Sequence, residues 1–201
     1  MLSRTVAKRY NISKDGKSIY VADDDTESEI LTSSDHGDTW SHIQVTSDAT
    51  LYPYSEAIAK EDPRAMMVGL TDFELTAGAL FVSTDAGQTF QDLRAQTQAL
   101  PFASVSISGD GKYILAGSIN LWGSDSTPDE QRGQLFLSND QGATWNTIEL
   151  SKSLPKGFGA SMSRDGKIMV AIGSSRDELK MFISNDYGQT WADADDRVHF
   201  D

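Results

Sequence analysis

Carboxylates dominate whatever chemistry this chain could perform. It carries 30 Asp and Glu against 17 Lys and Arg in 201 residues, a formal net charge of -13. The densest run is "DDDTESE", Asp23 to Glu29. Clustered carboxylate oxygens suit Ca²⁺, although the run does not follow the EF-hand spacing. It reads first as a solvated charged turn, with Ca²⁺ on Asp23, Asp24, Asp25 and Glu27 as the alternative; no other cofactor is expected. The histidines His36, His42 and His199 lack the i, i+4 helical spacing of a zinc site and read as isolated surface residues. With no cysteine, thiolate ligands, cysteine nucleophiles and disulfides are excluded. There is no Gly-x-Ser-x-Gly elbow and no phosphate loop. No catalytic residue can be named, and the chain is not expected to be an enzyme.

The same charge balance argues against nucleic acid, because an acidic field repels phosphate backbones and no basic, aromatic-interleaved stretch offsets it. No apolar run approaches the roughly 20 residues that span a bilayer, and "MLSRTVAKRY" does not read as a signal peptide. Binding is the remaining function class. The longest excursion, Ile119 to Gly133, carries Trp122, a residue able to stack on a sugar or anchor a protein partner. The alternative places that ring back over a sheet edge.

These residues must be positioned by strands. The octet "SNDQGATW" (Ser138 to Trp145) recurs as "SSDHGDTW" from Ser33, "STDAGQTF" from Ser83 and "SNDYGQTW" from Ser184, at spacings of 50, 55 and 46. That is the period of a four-stranded propeller blade. Between octets, "SKDGK", "SGDGK" and "SRDGK" separate short apolar runs, and Asp-Gly between such runs predicts a tight hairpin with positive φ at both central residues. The second unit substitutes "EDPR". In the third unit the strands are expected at Phe102–Ser108, Tyr113–Gly117, Gln134–Ser138 and Thr144–Leu150, and no sustained helical period is present.

Each residue of the octet has a physical use. The carboxylates Asp35, Asp85, Asp140 and Asp186 can accept backbone N–H groups within their own turn, and the hydroxyls of Ser33, Ser83, Ser138, Ser184, Thr39, Thr89, Thr144 and Thr190 can close the same network. Gly37, Gly87, Gly142 and Gly188 supply a positive φ, and Trp40, Phe90, Trp145 and Trp191 offer a large apolar area between sheets. The octet resembles the Asp box, S-x-D-x-G-x-T-[WF], of bacterial-neuraminidase-type repeats. That superfamily includes sialidases, sortilin-like receptors, xyloglucanase-type glycosidases and photosystem II assembly factors.

The resemblance implies an all-β β-propeller of four four-stranded antiparallel blades (4–50, 51–98, 99–152 and 153–201), each with its Asp box between the third and fourth strands. It also implies a mainly structural box. A sialidase would need three clamping arginines, and none of the eight here sits in the family's Phe-Arg-Ile-Pro stretch. The expected reading is therefore a non-enzymatic binding module for a protein or glycan, extracellular or at the cell surface. The alternatives are a glycoside hydrolase-related propeller or a structural subunit of a larger assembly. In such a blade the second turns and inter-blade connections share one face, which collects Asp23 to Glu29, Tyr52, Tyr54, Phe73, Phe102, Trp122 and Phe158 as the candidate binding surface. Four units leave three ways to cover the end sheets: a closed four-bladed ring, a two-fold dimer of eight blades, or membership of a longer propeller.

Overall fold

The structure is a computed structural model that describes residues 9–22, 28–120, 133–150, 157–174 and 179–194. The strands fall into four antiparallel sheets, each formed by four consecutive strands. The first sheet holds β1 (Arg9–Ile12), β2 (Ile19–Ala22), β3 (Glu29–Ser33) and β4 (Ser41–Gln44). The second holds β5 (Tyr52–Ile58), β6 (Met66–Thr71), β7 (Gly78–Ser83) and β8 (Gln91–Asp92), followed by the single helical turn α1 (Arg94–Thr97). The third holds β9 (Phe102–Ile107), β10 (Ile114–Ser118), β11 (Leu135–Ser138) and β12 (Asn146–Ile148). The fourth holds β13 (Gly157–Met162), β14 (Met169–Ser174), β15 (Leu179–Ser184) and β16 (Ala192–Asp193). This is the propeller blade pattern. In the third blade the fourth strand starts two residues later than expected, because the Thr144 N–H and the Trp145 indole are both bonded back into the turn. One helical turn is too short to register as a period, which is why α1 was not expected.

The Asp-Gly hairpins differ from the expected two-residue turn. Only the glycine has positive φ, at 74° for Gly16, 79° for Gly111 and 73° for Gly166. The aspartate stays in the ordinary region because its carboxylate is used as a local cap. Asp15 accepts the Ser13 hydroxyl at 2.6 Å and the Lys17 N–H at 3.0 Å, while Ser13 Oγ accepts the Ser18 N–H at 2.9 Å. The same three bonds recur around Asp110 and Asp165. The motif is therefore Ser-x-Asp-Gly-Lys, and its serine was the part that spacing did not single out.

Apolar layers between successive blades form the core. Tyr20, Ala22 and Ile30 of the first blade pack with Ile58, Met66, Val68 and Phe81 of the second. Met67, Leu80 and Val82 then meet Ile114, Ala116 and Phe136, and Leu115, Leu135 and Leu137 meet Met169, Ala171 and Phe182. Alternation along each strand is what lets a blade serve two layers, one per face. Burying a side chain of this size stabilises by about 1.5–3 kcal/mol relative to exposure.

Polar bonds between blades run beside these layers. The inner strands are joined by Asn11 donating to the Glu56 carbonyl at 3.2 Å, Ser55 to the Phe102 carbonyl at 2.9 Å and Ser104 to the Ala160 carbonyl at 3.1 Å. The first turns are joined backbone to backbone. The Lys14 N–H donates to the Lys60 carbonyl at 3.0 Å, Glu61 to Gly109 at 2.8 Å and Gly109 to Arg164 at 2.6 Å.

The box glycines do more than adopt positive φ. A Cβ on Gly87 would lie 2.8 Å from Ile43 Cδ1 of the preceding blade and 3.3 Å from Met66 Sδ, whereas one on Gly142 would meet Val82 at an ordinary 3.4 Å. Left-handed geometry alone costs a non-glycine residue roughly 1–2 kcal/mol, and overpacking adds about 1–3. Chemical denaturation should therefore show Gly142→Ala losing about 1–2 kcal/mol and Gly87→Ala clearly more. Equal losses would mean that backbone strain alone dictates these glycines.

Candidate functional site

Each Asp box is a closed hydrogen-bond network. The Ser33 hydroxyl donates to Asp35 Oδ1 at 2.7 Å and accepts the Gly37 N–H at 2.9 Å. The Thr39 N–H donates to Asp35 Oδ1 at 2.9 Å and its hydroxyl to Oδ2 at 2.5 Å, and the Trp40 indole donates to the Gly37 carbonyl at 3.0 Å. The boxes of Asp85, Asp140 and Asp186 repeat the serine and threonine bonds, and Trp145 and Trp191 repeat the indole bond. The residue before each glycine is also left-handed: His36, Ala86 and Gln141 at φ 62° and Tyr187 at 63°. Its N–H is bonded to the carbonyl of Lys17, Arg64, Lys112 or Lys167, so first and third turns of one blade sit side by side.

The donors set the acidity. The Thr39 hydroxyl, then the Thr39 N–H, then the Ser33 hydroxyl hold Asp35 at a pKa of about 2, and Thr190 with Ser184 does the same for Asp186, also about 2. Asp85 and Asp140 are lowered by the same kinds of bond, with the threonine hydroxyl first. Both oxygens of each box carboxylate are thus bonded within the turn, on the face opposite the candidate binding surface.

On that opposite face the aromatic set divides. Phe102 and Phe158, expected there, are 0 % and 5 % exposed and lie in the inter-blade layers. The cause is a small residue in the preceding blade. Gly69 lies where a Cβ would touch the Phe102 Cβ at 2.9 Å, and Gly117 lies directly against the Phe158 backbone. Each phenylalanine lies at the start of its inner strand beside that space, and Phe102 packs tilted against Phe136 with ring centroids 5.7 Å apart. The register puts Pro53 in the place of Phe102: Pro53 opposes Leu70 as Phe102 opposes Ser118. Pro53 is buried, and alternation turns its neighbours Tyr52 and Tyr54 outward to half-buried positions. Tyr54 occupies a bulge between Pro53 and Ser55, and its ring packs under the Arg9 guanidinium, Cζ 4.7 Å from the centroid. Arg9 was not singled out in the sequence.

Among the described residues of this set Phe73 is the most open to solvent, 67 % exposed. It sits in the β6–β7 turn, which is held like a small box. Asp72 accepts the Thr76 N–H at 2.7 Å and the Thr76 hydroxyl at 2.6 Å, with Leu75 left-handed at φ 57°. A clamped loop presents an aromatic side chain at little further ordering cost. Trp122, the Asp23 to Glu27 carboxylates and His199 lie outside the described residues. His36 stays in its box, and His42 lies 3.2 Å from Glu29. Among the described residues no group of three or more metal-ligating side chains is assembled, and no helix is long and apolar enough to cross a membrane.

Two other arrangements bear on chemistry. The arginines among the described residues do not converge: Arg9 is over Tyr54, Arg64 bonds Asp62, Arg94 bonds Asp92, and Arg164 reaches Glu61. An open groove of about 550 Å³ runs between the outer strands of the third and fourth blades, floored by Ile148, Phe182 and Trp191 and edged by Lys180 and Asp193.

Residues 3–195 match the family described as sortilin, neurotensin receptor 3 (Sortilin-Vps10). The chain belongs to the Sortilin-Vps10 family. Vacuolar protein sorting/targeting protein 10 of Uncinocarpus reesii (strain UAMH 1704) is 28 % identical over 122 residues, 57 % of this chain and 8 % of that protein. In structure the chain is similar to the GH74 xyloglucanase of Xanthomonas campestris, with a TM-score of 0.63 and 18 % identity over 96 % of this chain and 30 % of the enzyme. An ancestral GH74 enzyme gives a TM-score of 0.62 at 12 % identity, over 92 % of this chain and 26 % of that one. At such identity the likeness to the enzymes is one of propeller fold. This Sortilin-Vps10 chain spans less than a tenth of its curated relative and about a third or less of these enzymes.

Two measurements test the box. Asp140→Ala removes the acceptor of the Thr144 N–H, the Thr144 hydroxyl and the Ser138 hydroxyl. Thermal or chemical unfolding should show a loss of about 1–2 kcal/mol, that of a lost local cap. An unchanged stability would overturn the architectural role. The second measurement is acid titration of the melting temperature. A carboxylate whose folded pKa is lowered stabilises the fold above its ordinary value of about 4 and stops doing so as pH falls through the folded value. The melting temperature should therefore hold at neutral pH and fall between about pH 4 and about pH 2, the value given for Asp35 and Asp186. Asp35→Asn with Asp186→Asn should flatten that fall.

Proposed function

We propose that this chain is a non-enzymatic protein-binding module that engages its partner through the face carrying Arg9, Tyr52, Tyr54 and Phe73. The observation that carries the reading is the family match over residues 3–195, to a family described by a receptor. Its relative is named for protein sorting and targeting. The face adds support. Exposed and half-exposed aromatic rings beside an arginine are the residue types enriched at interface centres. Phe73 is 67 % exposed on a clamped turn. A receptor-type binding module of this kind works outside the cytosol, in an extracellular, cell-surface or luminal setting. Trp122 belongs to the same face in this reading, and Ca²⁺ at Asp23, Asp24, Asp25 and Glu27 would be structural.

Peptides selected from a random display library on the immobilised chain provide the test. They should compete with one another for one site. Phe73→Ala should weaken them tenfold or more, which corresponds to about 1.4 kcal/mol, while leaving the melting temperature unchanged. Binding equally well to Phe73→Ala and Tyr52→Ala would remove this face from the proposal. Turnover of xyloglucan or of chromogenic glycosides by the purified chain would instead establish the glycoside hydrolase-related alternative.

A further inference from the structure

Among the described residues seven non-glycine residues have positive φ, and six of them are accounted for by bonds within the fold. Four precede the box glycines and bond the first turn of their own blade. Ser28 has its hydroxyl 2.7 Å from the carbonyls of both Asp48 and Leu51, and Leu75 lies in the turn that Asp72 and Thr76 clamp. Gln98 is the seventh. Its φ of 65° and ψ of 173° fall in a region that is essentially glycine's alone, where any other residue is held under strain. Glycine is the usual residue where a helix ends in positive φ, and eight glycines take positive φ elsewhere among the described residues.

The backbone around Gln98 is fixed from both sides. Before it, Leu93 and Thr97 are fully buried, the Thr97 hydroxyl donates to the Leu93 carbonyl at 3.0 Å, and the Gln98 N–H donates to the Arg94 carbonyl at 3.0 Å. After it, Leu100 and Pro101 press on Gly78, where a Cβ would lie 2.8 Å from the Leu100 oxygen and 2.8 Å from Pro101 Cα. The Gln98 side chain takes no part in this. It is exposed, and it makes no hydrogen bond to any described residue. The fold therefore dictates the conformation and not the glutamine. A strained position filled by a side chain that the fold does not use is the mark of a use outside the fold.

The surroundings supply that use. Register runs from Tyr52 to Thr71 and from Thr71 to Gly78, so the glycine on which Leu100 and Pro101 rest also closes the turn that presents Phe73. Arg94, four residues before Gln98, lies 3.8 Å from Asp48 in the connection that enters the second blade. Gln98 thus stands at the end of the second blade that carries Tyr52 and Phe73. We propose that Gln98 is a specificity-determining residue of the partner site. Its amide NH₂ and C=O engage one backbone peptide unit of an extended peptide segment, a side chain of which packs on Phe73. A primary amide offers a donor and an acceptor side by side, the complement of a peptide unit. Aromatic rings hold a side chain, whereas this pair of bonds fixes the direction of the strand that carries it. The inference rests on the reading of this face as a protein-binding surface.

The probe is the tightest peptide selected on the immobilised chain, titrated in solution against the 201-residue protein. Gln98→Gly should raise the melting temperature, because relief of strain outweighs the freedom that glycine adds to the unfolded chain. It should also weaken the peptide about tenfold, the net worth of two hydrogen bonds. Gln98→Ala should weaken it equally with the melting temperature unchanged. N-methylating the peptide bonds one at a time then locates the contact. At one position the methyl group should cost about tenfold on the parent protein and less than about twofold on Gln98→Ala. Phe73→Ala separates the two readings. If it leaves peptide binding intact, the face itself is wrong and the role of Gln98 falls with it. If it weakens binding while both Gln98 variants bind like the parent, only the role of Gln98 is overturned. A Gln98→Gly protein less stable than the parent, or N-methyl losses that add fully to the Gln98→Ala loss at every position, would also overturn it.

Discussion

A buried hydroxyl at the end of each third strand is the contact on which this architecture depends. Ser33, Ser83, Ser138 and Ser184 are nearly inaccessible, and each both donates to its box carboxylate and accepts the N–H of the box glycine four residues on. A buried hydroxyl without partners would be unfavourable, so the loop is held to the one conformation that satisfies it. That conformation places two successive left-handed residues, bonds the third turn to the first, and aims the aromatic ring at the preceding blade. One polar contact thereby sets the apolar layer beside it.

The second constraint is room. Blades approach closely only where a side chain is missing, and the chain supplies glycine at those points: in the Asp-Gly turns, in the boxes, and at Gly69 and Gly117, where Phe102 and Phe158 enter. Because the same seats recur, the inter-blade interface is a repeated unit, and each blade depends on a neighbour to cover one face. Stability in such an array is largely a matter of nearest neighbours.

The acidity of the chain has a local explanation in part. Asp15, Asp35, Asp85, Asp110, Asp140, Asp165 and Asp186 all have lowered pKa values, chiefly because turn hydroxyls and N–H groups bond to the carboxylate. They stay ionised at neutral pH and are committed to holding hairpins. Seven of the 30 acidic residues are thus engaged within hairpin turns, while on the other face aromatic rings stand beside Arg9 and acidic residues.

Sequence alone determined the blade. The octet, its spacing and the Asp-Gly turns are local signals, each satisfied within a few residues, so four antiparallel sheets of consecutive strands were legible without coordinates. Which aromatic residues face solvent was not. Tyr52, Tyr54, Phe102 and Phe158 all lie within the first three residues of inner strands, and a one-residue difference in register exchanges core for surface in a period-2 element. Tyr-Pro-Tyr places Pro53 inward and two rings outward, whereas Phe102 and Phe158 turn into space left by glycines far away in sequence. The pairing of Arg9 with Tyr54 likewise joins strands of different blades. Contacts inside a hairpin are written in adjacent residues; contacts between blades depend on distant ones, and only the tertiary structure decided those.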